Sequence, residues 1–284
     1  MLFDLRTVGF SKPENEEKVY QVVNEVFNHF TDKYSISIDE NKKFIETKKQ
    51  YGKNFGVIAR GFQNGDKISF KEIVPYADAA KKMPITELLI EKGDIKLSVN
   101  NEVIKNEYHV KMKNPHTGLP MQFYLQNVVE YLENSELNLF KGVYISALAQ
   151  EGKVLLPVAE DEIDEIYEID YDDDDFFDEE DEGAIDVEDL DDDDIFTLKG
   201  NWLEKMPTSI VPASDAIAHY LILGKIKSVN KLENEATGEK IYKLSVFADG
   251  ITLDVYVNKK KLLGEPSPGM RFMGLCWLQG KIAF

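Results

Sequence analysis

The chain has 284 residues, a net charge of −19 and one cysteine. This length suits two ordinary domains, and the apolar content is that of a globular protein rather than a disordered or fibrous one. A lone cysteine excludes an intramolecular disulfide, and no stretch approaches the roughly 20 apolar residues that cross a bilayer. The start of the chain lacks the apolar region of a signal peptide, so these features predict a cytoplasmic protein with no membrane association.

The negative charge is concentrated in one stretch of the chain. Residues 1–150 sum to 0, residues 151–200 to −22 and residues 201–284 to +3. The chain is therefore a neutral part and a faintly basic part joined by a polyanion. We predict an N-terminal domain at 1–158, an acidic connector at 159–194 and a C-terminal domain at 195–284.

The N-terminal part mixes helix and strand patterns. Apolar residues from Val19 to Phe30 recur with helical spacing, which predicts an amphipathic helix ending near Asp32. Asn64-Gly65 marks a β-hairpin. Expected strands are 44–51, 55–62, 67–74, 95–99, 108–113 and 121–125, followed by a helix from 127 and a closing hairpin, 143–148 with 154–158. Strands with two or three helices and no regular βαβ alternation favour an α+β domain.

The acidic run, residues 160–194, contains two aspartate tetrads. Carboxylates at this density suit binding of divalent cations, mimicry of nucleic acid or binding of a basic protein, but the favoured interpretation is a solvated spacer that keeps two domains apart. Ile163, Ile166 and Tyr167 have helical spacing, so the connector is predicted to be partly helical. The first tetrad lacks the glycine of an EF-hand loop, so we predict no dedicated metal site. The candidate partner-binding residues of the run are Asp172, Asp173, Asp174, Asp175, Phe176, Phe177, Asp191, Asp192, Asp193 and Asp194.

The C-terminal part reads as a compact β domain. After a predicted helix at 196–206, the β-prone runs are 220–229, 241–247 and 251–257, then a helical turn at 258–263 and two strands, 271–278 and 281–284, with a turn at Gly280. Three strands, a short helix and two strands is the order of a small OB-like β-barrel. An SH3-like barrel has similar spacing and stays open as an alternative.

An OB-like barrel raises the hypothesis of nucleic-acid binding. Bases would stack on aromatic rings while cations follow the phosphate backbone. The low positive charge of this part, next to a −22 segment, opposes phosphate binding and disfavours this partner. In one version, the acidic run covers the barrel as an autoinhibitory polyanion and leaves when a partner binds. The residues concerned are Tyr242, Phe247, Tyr256 and Trp277 for stacking, with Lys225, Lys227, Lys243 and Arg271 for the backbone.

Catalytic signatures are absent from the sequence. It contains no dinucleotide fingerprint, P-loop, nucleophile elbow or zinc-protease motif. His109 and His116 have no further ligand near them, so the segment around His116 is interpreted as a turn, and Cys276 as a buried apolar residue. We predict no cofactor. The sequence favours a non-enzymatic binding or scaffold protein, and leaves open a carboxylate-based enzyme whose two acids come from distant positions. The oligomeric state is left open.

Short segments from both ends and the middle of the chain carry a family resemblance. They are Leu5–Ser11, Phe123–Asn127, Ser146–Leu148, Gly152–Pro157, Leu263–Pro266, Gly269–Phe272 and Trp277–Ile282. On these segments the chain resembles an uncharacterised family of clostridial proteins, the domain-of-unknown-function family 3881. The resemblance implies a bacterial cytoplasmic protein. It brings no activity, cofactor or active site with it.

Overall fold

The structure is a computed structural model that describes residues 5–11, 16–83, 88–91, 109–134, 140–157, 208–213 and 217–284. This part of the chain contains fifteen β-strands and two α-helices, α1 (Glu16–Asn28) and α2 (Val128–Asn134). Strands β1 to β8 are Asp32–Ser37, Lys42–Gly52, Phe55–Asn64, Lys67–Ala77, Lys82–Met83, Leu88–Glu91, His109–Lys113 and Pro120–Leu125. Strands β9 to β15 are Gly142–Leu155, Ser209–Pro212, His219–Glu233, Lys240–Ala248, Ile251–Asn258, Leu262–Leu263 and Arg271–Ala283.

The predicted N-terminal helix and hairpin are confirmed. Helix α1 ends at Asn28, before the expected Asp32, because Asp32 already begins β1. The Asn-Gly turn joins β3 to β4, with Asn64 paired to Lys67 and Gly65 at a φ of +57°. Glycine adopts this left-handed conformation without strain, as the turn requires.

The smaller sheet has the order β1-β2-β3-β4 and is antiparallel throughout. Strand β3 is buried along almost its whole length because both of its faces are covered. On one face, a Cβ added at Gly61 would lie 3.4 Å from the Phe27 ring of α1. On the other face, Arg60 reaches Tyr124 of β8 in the larger sheet. The smaller sheet is thus sandwiched between a helix and a second sheet.

The larger sheet contains eleven of the described strands. Its main path is β10-β11-β12-β13-β9-β15-β8-β7-β6, and β14 and β5 both pair with β9. Strand β11 also pairs with β15, so β9, β15, β11, β12 and β13 form a closed cycle of pairings. Three of the pairings are parallel, those of β13 and β14 with β9 and that of β15 with β8. Strand β9 therefore lies between strands that follow it by about a hundred residues in the sequence.

The prediction of an α+β protein with a separate OB-like barrel at 195–284 is wrong. The described residues are mostly strand, and the C-terminal strands share one large sheet with β5 to β9 of the N-terminal part. The expected barrel is not self-contained, because β9 of the N-terminal part pairs with both β13 and β15. The proposed boundaries at residues 158 and 194 lie outside the described residues and stay predictions.

Two predicted turns are also wrong, the one that joins 143–148 to 154–158 in the closing hairpin and the one at Gly280. Gly152 and Gly280 lie inside the continuous strands β9 and β15 instead. A Cβ at Gly152 would lie 2.6 Å from the Phe272 ring, and one at Gly280 would lie 2.7 Å from the Tyr144 carbonyl oxygen. Glycine is required here for close approach of a neighbour rather than for chain reversal.

The interior includes a cluster of apolar side chains between the two sheets. Buried residues of the smaller sheet pack with residues of the larger one and with the N-terminal turn Leu5–Val8; they include Ile58, Val74, Tyr124, Leu148, Tyr256 and Trp277. Among the described residues, none of the helices is long and apolar enough to cross a membrane.

Candidate functional site

The structure shows where the acidic run joins the fold. The run itself, with its candidate residues Asp172 to Phe177 and Asp191 to Asp194, lies outside the described residues, as do the predicted strand at 95–99 and helix at 196–206. The described chain reaches Pro157 just beyond the end of β9, and it resumes at Thr208 just before β10. Both β9 and β10 belong to the larger sheet, so the run is an excursion from one sheet.

The two attachment points lie at the same end of that sheet. Strands β10, β11, β15 and β9 are adjacent in this order. Across them, Ser209 pairs with Leu223, Leu223 with Met273, and Met273 with Lys153. Three strand spacings of about 4.8 Å separate Ser209 from Lys153, or about 14 Å. Residues 158–207 therefore leave and rejoin the described fold at the same end of the larger sheet, on strands that are three spacings apart.

A group of cations lies between these attachment points. Arg271 is paired directly with Lys225, which is paired on its other side with Phe247. Directly paired residues project their side chains on the same face of a sheet. Arg271 Nε donates a 2.8 Å hydrogen bond to the Leu156 carbonyl, and Lys227 Nζ lies 5.0 Å from the centre of the Phe247 ring. We call Lys225, Lys227 and Arg271 the basic row.

Three of the four aromatic rings predicted to stack on bases, those of Tyr242, Tyr256 and Trp277, are buried. The Tyr242 hydroxyl donates to the Glu265 carboxylate at 2.9 Å, and the Tyr256 hydroxyl donates to the Asp78 carbonyl at 2.9 Å. Trp277 packs against Tyr124, with ring centres 5.0 Å apart. Burial raises the pKa of both Tyr242 and Tyr256, so both hydroxyls stay protonated donors at neutral pH. Each ring therefore contributes to packing in this structure.

The most deeply buried charge in the described chain is Arg60, whose side chain is 0% exposed. Its neighbours in the register of the smaller sheet are Glu46 on β2 and Glu72 on β4. Arg60 Nε donates to Glu46 Oε2, and Nη1 donates to Glu72 Oε1, each at 2.8 Å. A buried charge needs such partners because water is absent.

The same guanidinium also binds the larger sheet. Nη1 donates to the Tyr124 hydroxyl, and Nη2 donates to the carbonyls of Leu125 and Gln126 at 3.1 and 3.2 Å. The Tyr124 hydroxyl in turn donates to Glu72 at 3.1 Å. We call Arg60, Glu46, Glu72 and Tyr124 the Arg60 cluster. The Arg60 guanidinium therefore donates five hydrogen bonds, as many as it has N–H groups. The cluster joins the smaller sheet to the larger one.

Lys48 extends the cluster along β2. Its Nζ lies 3.7 Å from Glu46 Oε1 and 5.4 Å from the centre of the Tyr34 ring. Burial lowers the pKa of Lys48, while the Glu46 carboxylate acts in the opposite direction. A buried lysine beside acids and a tyrosine is a composition found at some active sites. Here both acids already pair with Arg60, which makes stabilisation of the fold the simpler role.

A second polar cluster holds the N-terminal segment. The Glu239 carboxylate accepts hydrogen bonds from Ser11 at 2.6 Å, Asn258 at 2.7 Å and Lys260 at 2.8 Å. Burial acts to raise the pKa of Glu239, but these three donors lower it overall. Asn258 Nδ2 also donates to the carbonyl of Arg6 at 3.1 Å.

A turn at Asn234 completes this cluster. Asn234 Nδ2 donates to the Val8 carbonyl and Thr237 Oγ1 donates to the Gly9 carbonyl, both at 2.7 Å. Gly9 has a φ of +91°, and a Cβ there would lie 2.9 Å from the Asn234 Cβ. We call Asn234, Thr237, Glu239 and Asn258 the N-terminal anchor, since each bonds to residues 6–11.

The turn of the anchor occurs twice in the chain. Asn114 and Asn234 both begin an Asn-x-x-Thr-Gly sequence, and in each the asparagine Oδ1 accepts from the backbone amides two and three residues later. Gly118 and Gly238 end the two turns with φ values of +71° and +72°. The Asn114 side chain donates to the Asp249 carbonyl at 3.2 Å rather than to the N-terminal segment.

The remaining candidates for chemistry, His116 and Cys276, have structural roles. The predicted turn around His116 is confirmed, and the His116 Cβ lies so close to Gly250 that a Cβ there would be 2.5 Å away. The prediction of a buried Cys276 is confirmed, and burial raises the pKa of its thiol. Among the described residues, no three His, Cys, Asp or Glu side chains are grouped to hold a metal ion.

The sequence interpretation missed the Arg60 cluster. One signal was present: Arg60 is a lone charge within an apolar run from Phe55 to Phe62. A charge in such a run predicts a buried partner, because an unpaired buried ion is costly. It did not identify which acids would supply the pairing.

These features define a mostly β protein in which a buried ion cluster joins two sheets and a long acidic run leaves and rejoins one of them. The chain belongs to the family DUF3881, a domain of unknown function described from an E. rectale gene, whose model matches residues 5–280. This confirms the resemblance to an uncharacterised clostridial family. Comparisons with curated proteins and with solved structures give no match.

Proposed function

We propose that this protein is a non-enzymatic binding protein whose acidic run, residues 160–194, binds a basic protein partner. The observation that carries the proposal is the separation of charge along the chain. Residues 151–200 carry −22, whereas the remainder of the chain sums to +3. A polyanion of this density attracts a basic surface over several ångströms and accelerates encounter with it.

The attachment of the run supports the same role. Both of its ends join one sheet, at strand ends about three strand spacings apart. The larger sheet therefore holds both ends of the segment that contains the acidic run. We place this activity in the bacterial cytoplasm. The single cysteine, Cys276, is free and buried, which suits a compartment in which thiols stay reduced.

Charge alone attracts many cations, so the test separates charge from sequence. Three full-length chains are used as bait in native lysate at about 150 mM salt: the natural chain, a variant with Asn at the eight tetrad positions, and a variant with the run in scrambled order. We expect a basic protein retained by the natural chain and lost from the Asn variant, with binding weakened as salt rises. Equal recovery of the same proteins by the natural chain and the Asn variant would overturn the proposal.

The scrambled variant sharpens the result. A partner that recognises Phe176 and Phe177 between the charged residues is lost when the order changes, although the net charge is unchanged. A partner held only by charge density is retained. The two outcomes distinguish a specific partner from general polycation binding.

A further inference from the structure

The basic row lies between the exit and the return of the acidic run. Leu155, the last residue of β9, is paired with Arg271, which is paired with Lys225. Ser209, the first residue of β10, is paired with Leu223, two residues before Lys225. A chain that leaves at Leu155 and returns at Ser209 therefore begins and ends on either side of these cations.

The row has the character of a surface for a polyanion. Lys225 and Lys227 are exposed, and Arg271 is half-buried beside the Leu156 carbonyl, which is already on the exit path. The Phe247 ring lies under Lys227 and opposite Lys225, so an apolar surface accompanies the three positive charges. The acidic run offers a matching combination, since Phe176 and Phe177 follow directly on its first aspartate tetrad.

The length of the run permits this contact without stretching. Fifty residues, 158–207, connect the described ends. Fully extended, fifty residues reach at most about 165–180 Å, against an end separation of about 14 Å. Tethering at both ends gives the run an effective concentration in the millimolar range at a neighbouring surface. Weak exposed ion pairs suffice at such a concentration.

We propose that the basic row is the docking surface for the chain's own acidic run, held in cis. Lys225, Lys227 and Arg271 compete with any basic partner for the same carboxylates, so the row sets how readily the run is available. The docking does not require that a partner exist, and it is therefore tested separately from the proposed function.

Zero-length cross-linking of the full chain tests the contact directly. A carbodiimide joins a lysine amine to a carboxylate only when the two touch. We expect Lys225 and Lys227 to cross-link to acids of residues 160–194 at about 25 mM salt, and to lose these links at about 1 M salt, where the Debye length falls to about 3 Å. Lys53 and Lys67, exposed on the smaller sheet, are the controls. Equal yields from the controls and from the row would overturn the proposal.

An isotope mixture decides whether the contact is in cis. Natural and nitrogen-15-labelled chains are mixed in equal amounts before cross-linking. Links in cis contain one isotope only. Links of mixed isotope would assign the run to the row of a second copy and overturn the cis form of the proposal.

A matched pair of variants tests the competition. The double change Lys225→Glu and Lys227→Glu repels the run, whereas Lys53→Glu and Lys67→Glu alters the net charge equally at a distant surface. With a decalysine peptide as the probe, we expect about two- to tenfold tighter binding to the first variant than to the second, as for the loss of two competing exposed ion pairs. Equal affinities would contradict competition. The cross-links use no partner, so they report on docking even where no partner is found.

Discussion

The Arg60 cluster and the N-terminal anchor are both polar sites that join distant parts of the chain, but they differ in their access to water. Arg60 and Glu46 are charged and almost completely buried. In the anchor, Asn234 and Asn258 are buried amides, while Lys260 is 60% exposed where it pairs with Glu239. The difference teaches that burial and charge, rather than the number of hydrogen bonds, set the cost of losing one partner.

The largest effect is expected at the centre of the Arg60 cluster. Arg60→Leu removes the cation that pairs with Glu46 and Glu72 and leaves the buried Glu46 with Lys48 at 3.7 Å, so we expect a loss of about 3–5 kcal/mol in the free energy of unfolding. Urea denaturation measures this as a lower midpoint with an unchanged slope. Adding Glu46→Gln and Glu72→Gln to the same chain restores part of the loss, because the unpaired charges are removed. No recovery in the triple variant would show that packing, rather than charge, dominates this site.

A smaller effect is expected in the anchor at Asn234. Asn234→Ala removes the bond to the Val8 carbonyl and the bonds that close the turn, at a cost of about 1–3 kcal/mol. Asn114→Ala is the matched control, since it breaks the same turn elsewhere. Amide hydrogen exchange in residues 5–11 should rise in the Asn234 variant only. A similar rise in both variants would mean that the anchor does not hold this segment.

The register of the smaller sheet shows where sequence-based prediction ends. A hairpin drawn from Asn64 paired with Lys67 places Arg60 opposite Lys71, a repulsive pair. A β-bulge between Arg60 and Gly61 shifts the pairing by one, so Arg60 faces Glu72. One extra residue changes which side chains are paired, and the local sequence contains no signal that predicts this bulge.

Predictions based on local patterns are confirmed for several strands and for the first hairpin turn, and are wrong for the closing hairpin and for the turn at Gly280. The strands β2, β3, β4, β12 and β13 and the turn at Gly65 follow from alternation and turn chemistry. The assignment of strands to sheets depends instead on contacts between residues far apart in the sequence. The pairing of β9 with β13 and β15 is of that kind, and so is the pairing of β11 with β15, which places Lys225 beside Arg271 in the basic row.

The dependence of stability on pH below neutrality provides a test in which the expected effect is of intermediate size. The pKa of Glu239 is lowered in the folded protein, so its charged form stabilises the fold above the ordinary glutamate pKa of about 4.3, and this contribution is lost as pH falls through the lowered value. Glu239→Gln should cost about 1 kcal/mol at neutral pH, allowing for solvent screening. The melting temperatures of the two proteins should converge as the pH falls below the ordinary glutamate pKa of about 4.3. Parallel curves would assign the acid sensitivity elsewhere.

The smallest effect is expected at an exposed pair. Lys231 Nζ lies 2.9 Å from Glu265 Oε1, with both side chains more than half exposed. Lys231→Ala should leave the melting temperature unchanged within error, because water and salt screen such a pair. A clear drop in melting temperature would mean that distance alone, without burial, decides the value of an ion pair in this protein.

The place of β9 in the larger sheet has a consequence for synthesis. Its main neighbours, β13 and β15, begin at Ile251 and Arg271, about 95 and about 115 residues after β9 ends at Leu155. At about 5–20 residues per second, the ribosome leaves this apolar strand without those partners for about 5–20 seconds. An unpaired strand edge is prone to pair with another chain. The segment that emerges next carries the acidic run, so nascent chains on neighbouring ribosomes repel one another during the interval in which β9 is most exposed to aggregation.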